Sequence, residues 1–259
     1  MIKRHENYRE LVLRLAKTDF KLRYHGSALG YLWAILKPLL MFTVLNFVFS
    51  SLFNFRNSGT PYYPLELITA ILLFQFFSEG TTSGMNSLVS KAQLVTKIYV
   101  PRWTIVLGST VNALFVFCMN LIVLAVFLVA YSKLPSLLGV VMFLVYSMLL
   151  YVLIVSFSLI TAPLFVRFRD LSMIWEILLS VLMYAAPIVY PLSMIPEKFR
   201  HLVLINPLSF IIHFAKQALI SNDFTKFSHF AILFLGVASI ATVSFLIFKK
   251  SERSVAELI

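Results

Sequence analysis

Six long apolar runs constrain this chain more than any other feature of it. They fall at about residues 31–53, 63–83, 103–131, 137–166, 171–190 and 227–248. A helix needs roughly 20 apolar residues to cross the hydrocarbon core of a bilayer. Lipid offers no hydrogen bonds, so a crossing segment must satisfy its own backbone, and a helix does so. The runs therefore predict an all-α integral membrane protein with six transmembrane helices. The third and fourth runs exceed what a bilayer requires, which predicts tilt or protrusion. A soluble alternative fails on composition, with 60% hydrophobic and 13% charged residues, outside the usual soluble balance.

The basic residues then set the orientation. Lys3, Arg4, Arg9, Arg14, Lys17, Lys21 and Arg23 precede the first run. Lys91, Lys97 and Arg102 follow the second, Arg167 and Arg169 the fourth, and Lys249, Lys250 and Arg253 the sixth. The opposite side carries only Arg56, Lys133, Lys198, Arg200, Lys216 and Lys226. The positive-inside rule places both termini in the cytoplasm. A net charge of +11 suggests nucleic acid, but the cations form no groove-sized patch with interleaved aromatics. They gather at span ends, as expected beside anionic lipid. The first thirty residues hold no uninterrupted apolar stretch of the secretory-signal kind, so insertion through the first span is expected. The one cysteine, Cys118, permits neither a disulfide framework nor a thiolate metal site, and its apolar surroundings predict a buried, inert thiol.

Three segments outside the spans carry information. In 1–30, Tyr8, Leu11, Val12, Leu15, Asp19 and Leu22 share one helical face, apolar except for the aspartate, while Arg14, Lys17 and Lys21 share another. This predicts an amphipathic helix lying in the cytoplasmic interface, with docking on the protein's own cytoplasmic side as the alternative. Residues 85–100, between Gly84 and Pro101, are too polar to span and read either as a short partner-docking helix or as a solvated connector. In 191–223, Asn206-Pro207 is a strong helix start, and the apolar stretch 208–220 is too short to cross. Short extracytoplasmic helices able to gate a path are expected there, between spans five and six. The chain divides into an interfacial segment, 1–30, and a transmembrane domain, 31–259.

Chemical motifs are sparse. The sequence holds no G-x-x-x-x-G-K-[ST] loop and no dinucleotide fingerprint, so any ATP that drives this protein is hydrolysed on another polypeptide. His5, His25, His201, His213 and His229 lack metal-site spacing, and no Ser/His/Asp or Cys/His arrangement supports catalysis; neither metal nor other cofactor is expected in the chain. Charged residues within spans are functional candidates by default. Lys37, next to Pro38, has snorkelling as a competing explanation. Glu66, Glu79 and Glu176 are the acids that a proton-coupled secondary transporter would need, and with Pro187 and Pro191 they make the case for that rival. Tyr62, Tyr63, Trp103 and Tyr131 fit an interfacial aromatic belt. Tyr31, Trp33, Phe42, Trp175, Tyr184 and Tyr190 suit either an aromatic conduit for sugar rings or packing against helices and lipid. Gly26–Gly30 and Gly80–Gly84 both read G-x-x-x-G, and chance or turn geometry accounts for them better than a dimer motif.

The stretch Arg23-Tyr24-His25-Gly26-Ser27-Ala28-Leu29-Gly30-Tyr31-Leu32-Trp33-Ala34-Ile35-Leu36-Lys37-Pro38 is far more specific. It resembles the opening of the first span in ABC-2 type polysaccharide and polyol-phosphate exporter permeases, where "Y-x-x-S-x-L-G-x-L-W…P" follows a basic amphipathic helix. Tyr24, Ser27, Leu29, Gly30, Leu32, Trp33 and Pro38 fill that pattern. Arg169-Asp170-Leu171 resembles the family's "R-D-L" turn, and Pro187-Ile188-Val189-Tyr190 with Ile195-Pro196 its "P-I-x-Y…I-P" exit, with Asn206-Pro207 beyond. The likeness covers essentially the whole chain and is strongest to the Wzm-type, O-antigen-exporting members.

The resemblance implies a homodimer with two copies of a separate ATPase subunit, on which ATP and Mg are bound. It implies a substrate of polysaccharide linked to undecaprenyl diphosphate, crossing the bacterial inner membrane; teichoic-acid and capsule exporters share the motifs. It further implies ATPase coupling at Lys91, Gln93, Lys97, Arg169 and Asp170, an outer gate at 191–223, and a channel lined by Tyr31, Trp33, Phe42, Trp175, Tyr184 and Tyr190. Lys21, Arg23 and His25 stand at the membrane entrance, where a diphosphate head needs cations; ordinary anchoring to anionic lipid is the competing account.

Overall fold

The computed structural model describes residues 8–24, 26–52, 62–97 and 100–255, and every regular element among them is helical. Helix α1 spans Tyr8–Tyr24. A 3-10 turn, Gly30–Leu32, leads into α2, Trp33–Asn46, which runs on into a π-type turn, Phe47–Leu52. Then come α3 (Tyr63–Ser90), α4 (Ala92–Lys97), α5 (Arg102–Ala130) and α6 (Leu137–Arg167). They are followed by α7 (Leu171–Ala185), α8 (Glu197–Ile205), α9 (Pro207–Ile220) and α10 (Phe227–Val255).

Four described stretches are long and apolar enough to cross a bilayer: Gly30–Ser50, α5, α6 and α10. The pair α8 and α9, bent by 107°, makes a fifth if counted as one broken span. Helix α3 is not among them, because Glu66, Gln75 and Glu79 interrupt its apolar run. Helix α7 has only 15 residues. It stops at Ala185, short of the expected 190, because Pro187 removes the backbone donor that the next turn needs.

Helix α3 nevertheless forms the centre of the molecule. Leu65, Leu67, Ile68 and Leu73 are fully buried, the signature of a helix enclosed on all sides. Helices α5 and α6 enclose it, with Phe76 stacked on Phe117 at 4.4 Å. Contacts with α6 run in parallel, Gly80 against Ile154 and Gly84 against Ser158. A Cβ at Gly80 would lie 2.6 Å from Ile154 Cγ2. This glycine pair is therefore a close-approach surface between two helices of one chain, which corrects the expectation of chance or turn geometry. That expectation suits Gly26 and Gly30, whose φ values of +82° and +49° belong to a turn that a side chain would strain.

Helix α1 lies lengthwise and parallel along the first half of α5. Tyr8 meets Trp103 edge-on at 5.7 Å, Leu15 covers Gly108, and Phe20 approaches Phe115 at 6.4 Å. Ala16 is fully enclosed and Leu11, Val12 and Leu15 are half-buried, so this face of α1 docks on the chain, while Leu13 and Leu22 stay exposed. The stretch 85–100 is not one connector: Met85–Ser90 completes α3, and α4 is a separate short helix. Cys118 is exposed on α5 rather than buried. An apolar run in a membrane helix has an outer face for lipid, so local apolarity does not imply an interior position.

Candidate functional site

Two cavities meet where α1, α2 and α3 converge. The first, about 480 Å³, is polar and bordered by Asp19, Lys91, Ser109 and Asn112. The second, about 770 Å³, runs between α2 and α3 along Trp33, Leu40, Met41, Val44 and Phe74. Arg23, Lys37, Gln75, Ser78 and Glu79 border both. The space is thus apolar along one wall and ionic at its end.

The ionic end is built from α1 inward. Arg23, in the last turn of α1, donates to the Glu79 carboxylate of α3. One turn earlier on the same face of α1, Asp19 accepts from Lys91, whose Nζ also donates to Ser109 Oγ at 3.0 Å. These two ion pairs strap α1 across the C-terminal half of α3. Lys37 lies close enough to Glu79 to act on it electrostatically. It forms no ion pair or hydrogen bond among the described residues. Asn112 Oδ1, at the cavity wall, is buried without a partner among them.

At the other end of α3 the hairpin of α8 and α9 packs against the exit from α7. Lys216 of α9 is 3% exposed. Its Nζ donates to the Pro187 carbonyl at 2.9 Å and lies 3.8 Å from Glu66 Oε2. Tyr63 OH donates to the Val189 carbonyl at 2.7 Å. Asn206 Oδ1 accepts from the Leu208 amide at 3.0 Å and so starts α9. Arg200 closes the turn before α8, donating to the Ile195 carbonyl at 2.9 Å.

The sequence-derived residues separate on this frame. Trp33 borders the larger cavity, and Tyr31, also exposed, stacks on Phe20 at 5.0 Å. Tyr184 is 60% exposed on α7, and Tyr190 OH donates to its carbonyl at 2.8 Å. Phe42 and Trp175 are buried inside the chain. Phe42 meets Phe127 edge-on at 5.0 Å; Trp175 stacks on Phe157 at 4.0 Å and donates to Thr81 Oγ1. Their rings pack between helices of the chain, away from the cavity that Trp33 borders. Arg23 is engaged with Glu79, Lys21 is exposed, and His25 lies outside the described residues. Lys91 is spent on Asp19, while Gln93, Arg169 and Asp170 are exposed. Nothing is described of the Lys97 side chain. Glu176 is exposed on α7.

Sequence reasoning missed every ionic partnership here. Two signals were present: Asp19 as the one charge on the apolar face of α1, and Lys216 inside an apolar helix. Each marks a place where tertiary structure must supply an opposite charge.

The architecture is that of a helical multi-pass membrane protein with a bent helical hairpin at one end and an amphipathic cavity at the other. The chain belongs to the ABC-2 type transporter family, whose model matches residues 10–220. It is similar to the O-antigen export system permease protein RfbA of Klebsiella pneumoniae, at 30% identity over 96% of this chain and 95% of that protein. A protein of the same name from Myxococcus xanthus is 31% identical over 78% of this chain and 76% of its own length. The polysialic acid transport protein KpsM of Escherichia coli is 23% identical over 85% of this chain and 88% of that protein.

Proposed function

We propose that this chain is the membrane subunit of an ATP-driven exporter that moves lipid-linked polysaccharide of the O-antigen type across the bacterial inner membrane. The observation that carries this is the likeness to O-antigen export permeases over 96% of the chain. The weaker likeness to polysialic acid transport proteins makes a capsule-type glycan the second substrate class.

In this reading α3 and α7 join the four long apolar stretches to make six spans, with both termini cytoplasmic. The composition of α3 supports this, since its acids are compensated by Arg23 and Lys216 and need not face lipid. Two copies of the chain pair with two ATPase subunits, which bind ATP and Mg. The exposed faces of α2 and α7, carrying Trp33 and Tyr184, line the path between the copies. Aromatic rings there offer sugar rings apolar contact without a fixed hydrogen-bond pattern, as a long polymer in transit requires. Lys21, Arg23 and His25 serve the diphosphate of the carrier lipid, and Gln93, Lys97, Arg169 and Asp170 face the ATPase. Lys91 acts one step back, holding α1 to the helix that leads into that region. The hairpin of α8 and α9 is the outer gate.

Affinity purification of the chain from its native host, with identification of what accompanies it, tests the proposal. Recovery of a Walker-motif ATPase near equal stoichiometry, with vanadate-sensitive hydrolysis, is the expected result. Recovery of this chain alone, in detergents that preserve comparable complexes, would reject it.

A further inference from the structure

Among the described residues, the charged side chains that border the two joined cavities are three cations and two carboxylates. Asp19 is paired with Lys91, and Arg23 with Glu79. Lys37 is left over, exposed to both cavities and without an ion pair or hydrogen bond among the described residues. An ammonium one turn into an apolar helix calls for a polar or anionic partner. The same polar cavity is bordered by Asn112, whose buried Oδ1 has no hydrogen-bond partner among the described residues. Two cations, Arg23 and Lys37, thus converge on a single carboxylate, Glu79, that pairs with one and acts on the other. Beyond them the wall turns apolar along Leu40, Met41, Val44 and Phe74.

We propose that Lys37 and Arg23 form a binding site for the phosphate-bearing head of an amphiphile, and that Glu79 is the resident counter-ion which that head displaces. The site deepens the exporter reading, on which it rests, by extending the contacts of the carrier-lipid head from the rim at Lys21, Arg23 and His25 inward to Lys37. A diphosphate offers more negative charge and more acceptor oxygens than one carboxylate, so it competes for the guanidinium and the ammonium together. Its apolar chain follows the α2–α3 wall. Glu79 keeps Arg23 oriented while the site is empty and opposes the incoming anion, so binding stays reversible, as a transporter requires.

Equilibrium binding of radiolabelled farnesyl diphosphate to the purified full-length chain tests this without ATPase or glycan. Failure of the exporter reading and failure of the site are therefore separable. Saturable binding is expected, displaced by unlabelled farnesyl diphosphate and poorly by pyrophosphate or farnesol. Lys37→Gln should weaken it about tenfold, the loss of one charge-assisted contact, and Lys37→Arg should restore it. Glu79→Gln should tighten it severalfold, a gain that damage to the fold cannot mimic. Equal binding by Lys37→Gln and the native chain, or weaker binding by Glu79→Gln, overturns the proposal. Equal displacement by pyrophosphate would identify a free-phosphate site, and by farnesol a site for the tail alone; either overturns it as well.

Discussion

Helix α3 carries two acids, Glu66 in its first turn and Glu79 just past its midpoint, and each faces a lysine from another helix. Glu66 faces Lys216 of α9; Glu79 faces Lys37 of α2. The first lysine is buried at the wall of a smaller cavity, and its ammonium is already answered by a carbonyl and a carboxylate. The second lies open to a cavity, and its acid is already bonded to Arg23. The same pair of residue types is thus a structural clasp in one place and an unfinished coordination shell in the other. Burial with satisfied partners makes a polar group part of the architecture. Exposure to a cavity with partners missing leaves it free to bind.

The sharpest way to break this contrast is to remove the buried lysine. Lys216→Met would leave the Pro187 carbonyl and Glu66 without their cation. Loss of one partner of a buried pair costs about 3 kcal/mol or more, so thermal unfolding in detergent should shift strongly downward. Lys37→Met should leave that transition nearly unchanged; comparable losses in both variants would abolish the distinction.

The aromatics provide a second contrast. Trp175→Ala removes a buried, stacked ring and its hydrogen bond to Thr81, for an expected cost of about 3 kcal/mol. Tyr184→Ala, on the exposed face of α7, should leave stability within about 0.5 kcal/mol and instead lower polysaccharide transport in reconstituted vesicles. Transport unaffected by Tyr184→Ala would remove α7 from the path.

A smaller effect is expected where α3 crosses α6. A Cβ at Gly84 would meet Ser158 side-chain atoms, so Gly84→Ala should cost about 1–3 kcal/mol through overpacking. A Cβ at Gly236 meets nothing within 4 Å, and Gly236→Ala should be neutral or slightly stabilising in the same melt. Asp19→Asn keeps an acceptor for Lys91 but removes the charge from a largely buried ion pair, for an expected loss of about 1 kcal/mol. Hydrogen exchange in α1 should report it, rising there and not in α9.

Much of the helical framework was legible from the chain alone. Pro101 precedes α5 and Asn206-Pro207 opens α9, each through rules that act on neighbours in sequence, whereas Pro187 ends α7 at Ala185, before the expected 190. The motif around Tyr24 to Pro38 pointed to the family that the whole-chain comparison shows. The candidate site was legible only as a set of residues. Arg23 and Trp33 were singled out, but Phe42 and Trp175 were grouped with Trp33 although their rings are packed away inside the chain. Periodicity ranks the faces of one helix; it does not say which face meets protein, lipid or open space.

What the sequence determined by itself was therefore local and one-dimensional: helical class, approximate span limits, family, and the presence of a few costly charges in apolar surroundings. Only the tertiary structure decided which charges are answered. Asp19 finds Lys91, Arg23 finds Glu79, and Lys216 finds Glu66 and Pro187 across separations that no sequence spacing encodes. The reason is physical: hydropathy sums over neighbours along the chain, whereas the cost of a charge depends on whatever atoms the fold brings within a few ångströms of it.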